Sequence, residues 1–509
     1  MSAAPNTTSY TPISDIPKKL ETLRGYFATQ VTKSAKWRKE QLRAALRLMT
    51  ENEDRITAAL KADVGKPNFE ATFTEIVSVE TEIRAMIDEL DEWMKPTHYP
   101  TPASLMPGDS YVVRDPYGVV LIIAPFNYPI QLTILPLIAS ISAGNCAVLK
   151  PSELTPASSA LLAELIPKYM DNSAFQVVTG SIAETTALLK ERWDYIFFTG
   201  SDMVGKVVAR AAAEHLTPVT LELGGKSPVI LGPDADLTLA ARRVMWGKCL
   251  NAGQSCIAPD YAFVPVDLQK KFEEECVKVV KTFYAENPSS SPDFGRIVSE
   301  RHTQRLAKLI DGAKDQLIYG GKYDVANKFV EPTIVTATTE QPIMNEEIFG
   351  PILPIIPYEN INKVIEYINS KPKPLALYVF STKSDFNDRI LKETSSGGVS
   401  INDVMMHFAN ANLPFGGVGT SGQGNYHGKW GYEAFSHPKA VLNKSVYGDA
   451  PARYPPYTAF NAKLFRFVAE LYKVNSATFS KMFKFVVLPV IFAVLAHRAG
   501  LTIGFKSNL

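Results

Sequence analysis

Short apolar runs rich in β-branched residues recur along this chain with helical stretches between them. That alternation restricts the fold more than any other feature. Gly118-Val-Val-Leu-Ile-Ile-Ala124 offers no polar residue to face solvent, the pattern of a parallel strand buried on both faces. Cys146-Ala-Val-Leu-Lys150 ends a second run, and Gln176-Val-Val178 and Tyr195-Ile-Phe-Phe198 supply two more. Helical segments at 157–169 and 185–190 lie between them. The order resumes with a strand at 227–231, a helix at 237–249, a strand at 261–264 and a helix at 268–284. Strands alternating with helices imply βαβ units in an α/β, doubly wound fold. A chain of 509 residues is too long for one core. Two α/β domains are therefore predicted, over 1–222 and 223–425. Upstream, 16–94 reads as helices (Leu42, Ala45, Leu46 and Met49 share one face), 95–109 as a Pro-rich connector and 111–113 as a strand.

Composition removes several function classes. With 46% hydrophobic and 21% charged residues the chain is neither disordered nor a many-span membrane protein. A net charge of +1 gives no reason to expect nucleic acid as a partner. Cys146, Cys249, Cys256 and Cys276 contain no CxxC pair, so neither a disulfide framework nor a zinc site is indicated, and a reducing compartment fits best. No metal is expected. Residues 1–10 are polar and lack the apolar core of a secretion signal.

The chemistry concentrates at Asn251-Ala-Gly-Gln-Ser-Cys256, where small, flexible residues lead into one cysteine. A lone cysteine is more often an inert buried residue, and Cys146, inside an apolar run, fits that description. Cys256 is set apart by its company: Leu221-Glu-Leu-Gly-Gly-Lys226, Ala124-Pro-Phe-Asn127 and Glu346-Glu-Ile-Phe-Gly350. On these motifs the chain resembles the aldehyde dehydrogenase superfamily from about residue 20 to 440. Ile401-Asn-Asp-Val-Met-Met-His407, Pro414-Phe-Gly-Gly-Val-Gly419 and Tyr426-His-Gly-Lys429 point to its class 3, or fatty aldehyde, branch.

The resemblance implies a Rossmann-type cofactor domain, a catalytic domain, a small oligomerisation element from 95–115 and 426–450, and a helical tail over 451–509. It also implies a division of labour. Cys256 attacks the aldehyde carbon, the amide of Asn127 and the backbone N–H of Cys256 hold the oxyanion, and Glu222 activates the water that releases the acid. Glu222 argues against relatives that hand the acyl group to coenzyme A.

For the cofactor, the resemblance assigns Lys150 to the adenosine ribose, while Glu153 beside it would repel a 2′-phosphate. NAD is thus favoured, with NADP possible. Phe198-Thr-Gly-Ser201 leads from a strand into a helix, so Gly200, Ser201 and Gly205 would turn N–H groups toward the pyrophosphate. The spacing Gly200-x-x-x-x-Gly205 is not GxGxxG, and the family departs from that fingerprint too. Glu347 and Phe349 match the positions that hold the nicotinamide ribose and pack on the ring. His407, with no carboxylate pair at ligand spacing, reads as a packing or substrate-pocket residue rather than a base.

The tail carries the membrane signal. Residues 443–509 hold nine Lys/Arg against two Asp/Glu. Within it Leu464-Phe-Arg-Phe-Val-Ala-Glu-Leu-Tyr472 is an amphipathic helix pattern. The resemblance places such a helix at the substrate funnel, near the membrane. Phe485 to Ala496 is uncharged but spans only 12 residues, short of the ~20 of a spanning helix. Extension to 483–505 brings in Lys484, His497 and Arg498, so spanning and interfacial insertion both stay open. Flanking Lys473, Lys481, Lys484, Arg498 and Lys506 favour an anionic leaflet. The Ser507-Asn-Leu509 ending differs from a peroxisomal Ser-Lys-Leu by the missing charge. The expectation is NAD-dependent oxidation of long-chain aldehydes by a membrane-associated homodimer facing the cytosol. The alternatives are a soluble class 3 enzyme for medium-chain or aromatic aldehydes and a catalytically silent binding protein. Strand 111–113 and the segment after Gly431 are the candidate dimer elements.

Overall fold

A computed structural model describes residues 10–102, 105–447 and 449–470. The polar leader, the 485–496 apolar stretch with its flanking cations, and the terminal tripeptide lie outside the described residues.

The first unit comprises residues 1–93 and 115–437 and contains two open sheets. In one, strands run in the order Gly422–Gln423, Val219–Glu222, Tyr195–Thr199, Val119–Ile123, Cys146–Lys150, Phe175–Val177. All neighbours are parallel except the first pair. Chain order reverses between Val119–Ile123 and Tyr195–Thr199, so a crevice opens beyond their carboxyl ends. The second sheet runs Leu317–Tyr319, Thr333–Thr336, Ile352–Tyr358, Tyr261–Pro265, Pro228–Leu231, Ala376–Phe380, Gly398–Ile401, parallel except for its first strand. The two sheets with their helices are the doubly wound α/β arrangement that the alternation of apolar runs predicts.

Val119–Ile123 and Cys146–Lys150 are buried at every position, which is why they read as continuous apolar runs. Helix Gln131–Ala143 between them is buried all round. Its sequence is apolar on every face, as a helix covered on all sides requires. Helices Ile16–Ala28, Ala35–Thr50, Glu53–Val64 and Ser78–Trp93 form the N-terminal layer. A π-helical turn, Thr72–Val77, interrupts it.

The second unit, residues 94–114 and 438–509, carries a three-stranded sheet in the order Thr97–Tyr99, Gly108–Pro116, Ser436–Lys444, followed by helix Ala459–Glu470. The strand Thr97–Tyr99 falls inside the stretch expected to be a connector. It is exposed throughout and joins by antiparallel pairing, with His98 bonding Asp109 at 3.0 Å, so it leaves no hydrophobic pattern to read. Phe460 and Phe467 on the helix are 73% and 61% exposed. Among the described residues no helix is long and apolar enough to cross a membrane.

Candidate active site

The candidate residues sit at strand ends and in the loops that connect strands to helices. Asn127 follows strand Val119–Ile123, and Gly200 follows Tyr195–Thr199, on the two sides of the reversal in strand order. Glu222 ends strand Val219–Glu222, where its neighbours are Thr199 and Gly422. The Gly200 N–H donates to the Glu222 carbonyl at 3.0 Å, joining the cofactor-side loop to that carboxylate's backbone.

Glu222 is 2% exposed, and neither carboxylate oxygen has a hydrogen-bond partner. Burial alone drives its pKa well above the usual carboxylate range. A buried, unsatisfied carboxylate is costly to keep, and such a cost marks a group retained for something other than folding. The half-buried Cys256 lies within electrostatic reach of it. Burial pushes the thiol pKa up, and the charges of Glu347 and Glu222 add to that. The nearby backbone N–H groups of Cys256 and Ile257 oppose the shift. The balance favours the thiol form of Cys256 over the thiolate.

The lead-in to Cys256 is not the flexible stretch its small residues suggest. Asn251, Ala252, Gly253 and Gln254 are all buried. Asn251 and Ala252 sit at φ +53° and Gly253 at +75°. A Cβ at Gly253 would stand 2.3 Å from the carbonyl carbon of Gly350. The Gln254 amide donates to the carbonyls of Asn251 (3.1 Å) and Arg296 (2.9 Å), and its oxygen accepts from Val298 N–H at 2.9 Å. Hydrogen bonds and close contact, not residue size, fix the loop.

Asn127 is buried, and its carbonyl accepts from Asn251 Nδ2 at 2.7 Å and Lys66 Nζ at 3.3 Å. The loop leading to Cys256 and the Asn127 loop are thus tied directly to each other. Phe126 meets Phe349 edge-on, with centroids 5.8 Å apart.

The residues expected to hold the cofactor lie at the carboxyl end of strand Cys146–Lys150, after strand Tyr195–Thr199 and in the loop before strand Ile352–Tyr358. Lys150, almost fully buried, donates to Pro151 O at 2.9 Å and pairs with Glu153 at 3.0 Å. Ser201 caps helix Asp202–Ala213, accepting from Val204 N–H at 3.4 Å. Gly205 lets that helix approach Leu223, whose Cδ2 would be 2.7 Å from an added Cβ. Glu347 is buried with its pKa pushed up to about 8 by burial and then by Asp260, while Gly225 N–H, Lys226 and Lys248 oppose this. Gly224 makes room for it, since a Cβ there would fall 2.2 Å from Glu347 Oε2. The 346–349 loop is pinned by Lys226 to Glu346 O (2.9 Å), by Asp260 accepting from Ile348 N–H (2.9 Å) and by Arg305 to Ile348 O (2.6 Å). A buried lysine paired with Glu153, a Glu347 carboxylate seated over Gly224 and a capped helix N-terminus together fit a nicotinamide dinucleotide.

His407 bonds Ser400 Oγ at 3.0 Å and stacks on Phe415. Among the described residues no cluster of three His, Cys, Asp or Glu could hold a metal. Sequence reasoning passed over Lys66, Asp260 and Arg305, since a charged residue carries no mark of where it folds to; Asn251 and Lys226 were visible only as parts of motifs.

The sequence profile of the aldehyde dehydrogenase family matches residues 14–441. Mouse aldehyde dehydrogenase family 3 member A2 is 46% identical over 437 residues, covering 85% of this chain and 90% of its own. The rat protein named aldehyde dehydrogenase, dimeric NADP-preferring, is 44% identical over 88% of this chain and 99% of its own. The substrate-bound structure of Staphylococcus aureus AldH is 43% identical, covers 89% of this chain and 99% of its own, and superposes with a TM-score of 0.87. Solved relatives carry NAD+ and NADP. With the fold, the crevice and the motifs in agreement, the chain belongs to the aldehyde dehydrogenase family, in its class 3 branch, and is an aldehyde dehydrogenase.

Proposed function

We propose that the chain oxidises long-chain aliphatic aldehydes to carboxylic acids with NAD, with Cys256 as nucleophile. The observation that carries the chemistry is the buried carboxylate of Glu222, free of any hydrogen bond and within electrostatic reach of the Cys256 thiol.

The sulfur gives up its proton to solvent and bonds to the aldehyde carbon as the C=O π pair moves to oxygen. That oxyanion is held by the Asn127 amide and the Cys256 N–H, each such donor supplying ~3 kcal/mol. Lys150, Ser201, Gly205 and Glu347 would hold the dinucleotide, which when bound would supply the hydride acceptor and a positive charge at the ring. Loss of hydride from the former aldehyde carbon leaves a thioester on Cys256. Glu222, once ionised, takes a proton from water; the resulting attack breaks the C–S bond, frees the acid and restores the thiol.

Preference for NAD is supported by Glu153, whose charge on Lys150 disfavours a 2′-phosphate. The division into cofactor domain 1–222, catalytic domain 223–425, return segment 426–450 and tail 451–509 is part of this reading. A homodimer is supported by the thinly covered sheet of the second unit and by the rat relative's name. Membrane association and the long chain are supported by the exposed apolar face of helix Ala459–Glu470 and by the basic tail.

The test is reduction of NAD with hexadecanal, octanal and benzaldehyde, by the full chain and by a form ending at Ser480, with vesicles containing anionic lipid. Turnover of hexadecanal and sedimentation of only the full chain are expected. Preference for benzaldehyde would overturn the substrate reading, and equal sedimentation would overturn the role of the tail.

A further inference from the structure

Lys66 and Glu75 form an ion pair whose side chains are both 0% exposed, in the layer of N-terminal helices. Desolvating two charges costs several kcal/mol per ion, so a pair like this adds little to stability and calls for another explanation. Its geometry supplies one. Lys66 Nζ lies 4.1 Å from the centroid of the Tyr128 ring and donates to the Asn127 carbonyl at 3.3 Å. The other donor on that carbonyl is Asn251 Nδ2 at 2.7 Å, from the loop that ends in Cys256. A carbonyl oxygen has two lone pairs, and both are taken. Glu75, carried on the π-helical turn, closes the same loop from its far end. Its Oε2 accepts from Ile130 N–H at 2.9 Å and Gln131 N–H at 3.2 Å, where helix Gln131–Ala143 begins. From the same segment Glu70 accepts Asn251 N–H at 2.9 Å.

We propose that Lys66 and Asn251 are positioning residues for aldehyde oxidation: by gripping one carbonyl from two sides, they fix the Asn127 amide in register with the sulfur of Cys256. The inference rests on the reading that the Asn127 amide stabilises the oxyanion. The ion pair holds the Lys66 side chain aimed at that carbonyl. Asn251 transmits the register of the nucleophile loop, and the π-helical turn delivers Glu75 where the loop must be anchored. A misplacement of an ångström at such a donor costs as much as removing it.

The test is a double-mutant cycle in the full chain. Lys66→Met with Glu75→Gln removes both buried charges together. Single-turnover formation of NADH from octanal reads acylation, while NAD binding and thermal midpoint are followed in parallel. Acylation slowed about 10- to 100-fold, with NAD binding unchanged, is expected. In an Asn127→Ala background the same substitutions add less than about twofold, since the donor they hold is gone. Lys66→Gln with Glu75→Gln, which keeps a donor without a charge, is expected to recover most of the rate. Should the Met variant not fold, Asn251→Gly, which keeps the left-handed backbone, runs the same cycle with the same expectation. Equal losses in both backgrounds, or no loss in either, overturn the positioning role. An Asn127→Ala protein that acylates at the normal rate overturns the oxyanion reading beneath it.

Discussion

Replacing Gly224 by alanine tests the cofactor site from a residue that itself has no side chain to contribute. The added Cβ would stand 2.2 Å from Glu347 Oε2 and 2.8 Å from its Cδ. Ordinary contact starts near 3.4 Å, so the carboxylate must retreat by about 1 Å. Gly224 needs no unusual φ, which limits the perturbation to that collision. Retreat takes Glu347 away from the Gly225 N–H that helps hold its charged form. A charge-assisted hydrogen bond of this kind contributes about 1.5–3 kcal/mol, and a displaced carboxylate loses the same from the ribose hydroxyls it would bind. At 1.4 kcal/mol per decade, the dissociation constant for NAD should rise about 10- to 100-fold. Equilibrium binding by quenching of protein fluorescence measures it, with the thermal midpoint of the unliganded protein as the control for folding. Glu347→Gln should weaken binding to a similar extent, and the two changes together should cost little more than either. Unchanged NAD affinity in a folded Gly224→Ala protein would refute the assignment of Glu347 to the cofactor.

Cys256→Ala should abolish oxidation while leaving NAD affinity within about twofold, because the thiol is expected to bond only the aldehyde. With burial, Glu347 and Glu222 all raising the Cys256 pKa, the acylation rate at saturating NAD should climb as pH rises above neutrality; a rate independent of pH would contradict a thiol resting state. Glu222→Gln should permit one burst of NADH and then stall, with steady-state turnover down ~10²–10⁴-fold. Its folded pKa is raised, so the native state binds its proton more tightly than the unfolded chain does. The wild type therefore loses stability as pH climbs through that raised value, and Glu222→Gln should be relatively more stable at alkaline pH. A parallel pair of stability–pH curves would show Glu222 to be normally solvated.

Much of this protein follows from its sequence. Gly118 to Ala124 reads as a strand buried on both faces because its apolar run has no polar alternate, and Val119–Ile123 is buried at every position. Helix 237–249 falls where its spacing puts it. The motifs around Asn127, Glu222, Cys256 and Glu347 were visible because backbone turns and reacting groups demand particular residue types at fixed spacing. Pattern alone does not register strands two or three residues long, such as Thr97–Tyr99, or Gly422–Gln423 returning beside Glu222 from 200 residues away.

Tertiary structure decided the electrostatics. Nothing in Leu221-Glu-Leu tells that both oxygens of Glu222 end without partners, and nothing in Asn251-Ala-Gly-Gln tells that those residues are locked rather than loose. Lys66 and Glu75 look in sequence like two more charges on surface helices, yet both are removed from water and aimed at the Asn127 loop. The physical reason is one of range. Strand and helix patterns are set by neighbours two to four residues apart, whereas a pKa or a shared carbonyl depends on groups 60 to 120 residues away that only the folded chain brings together.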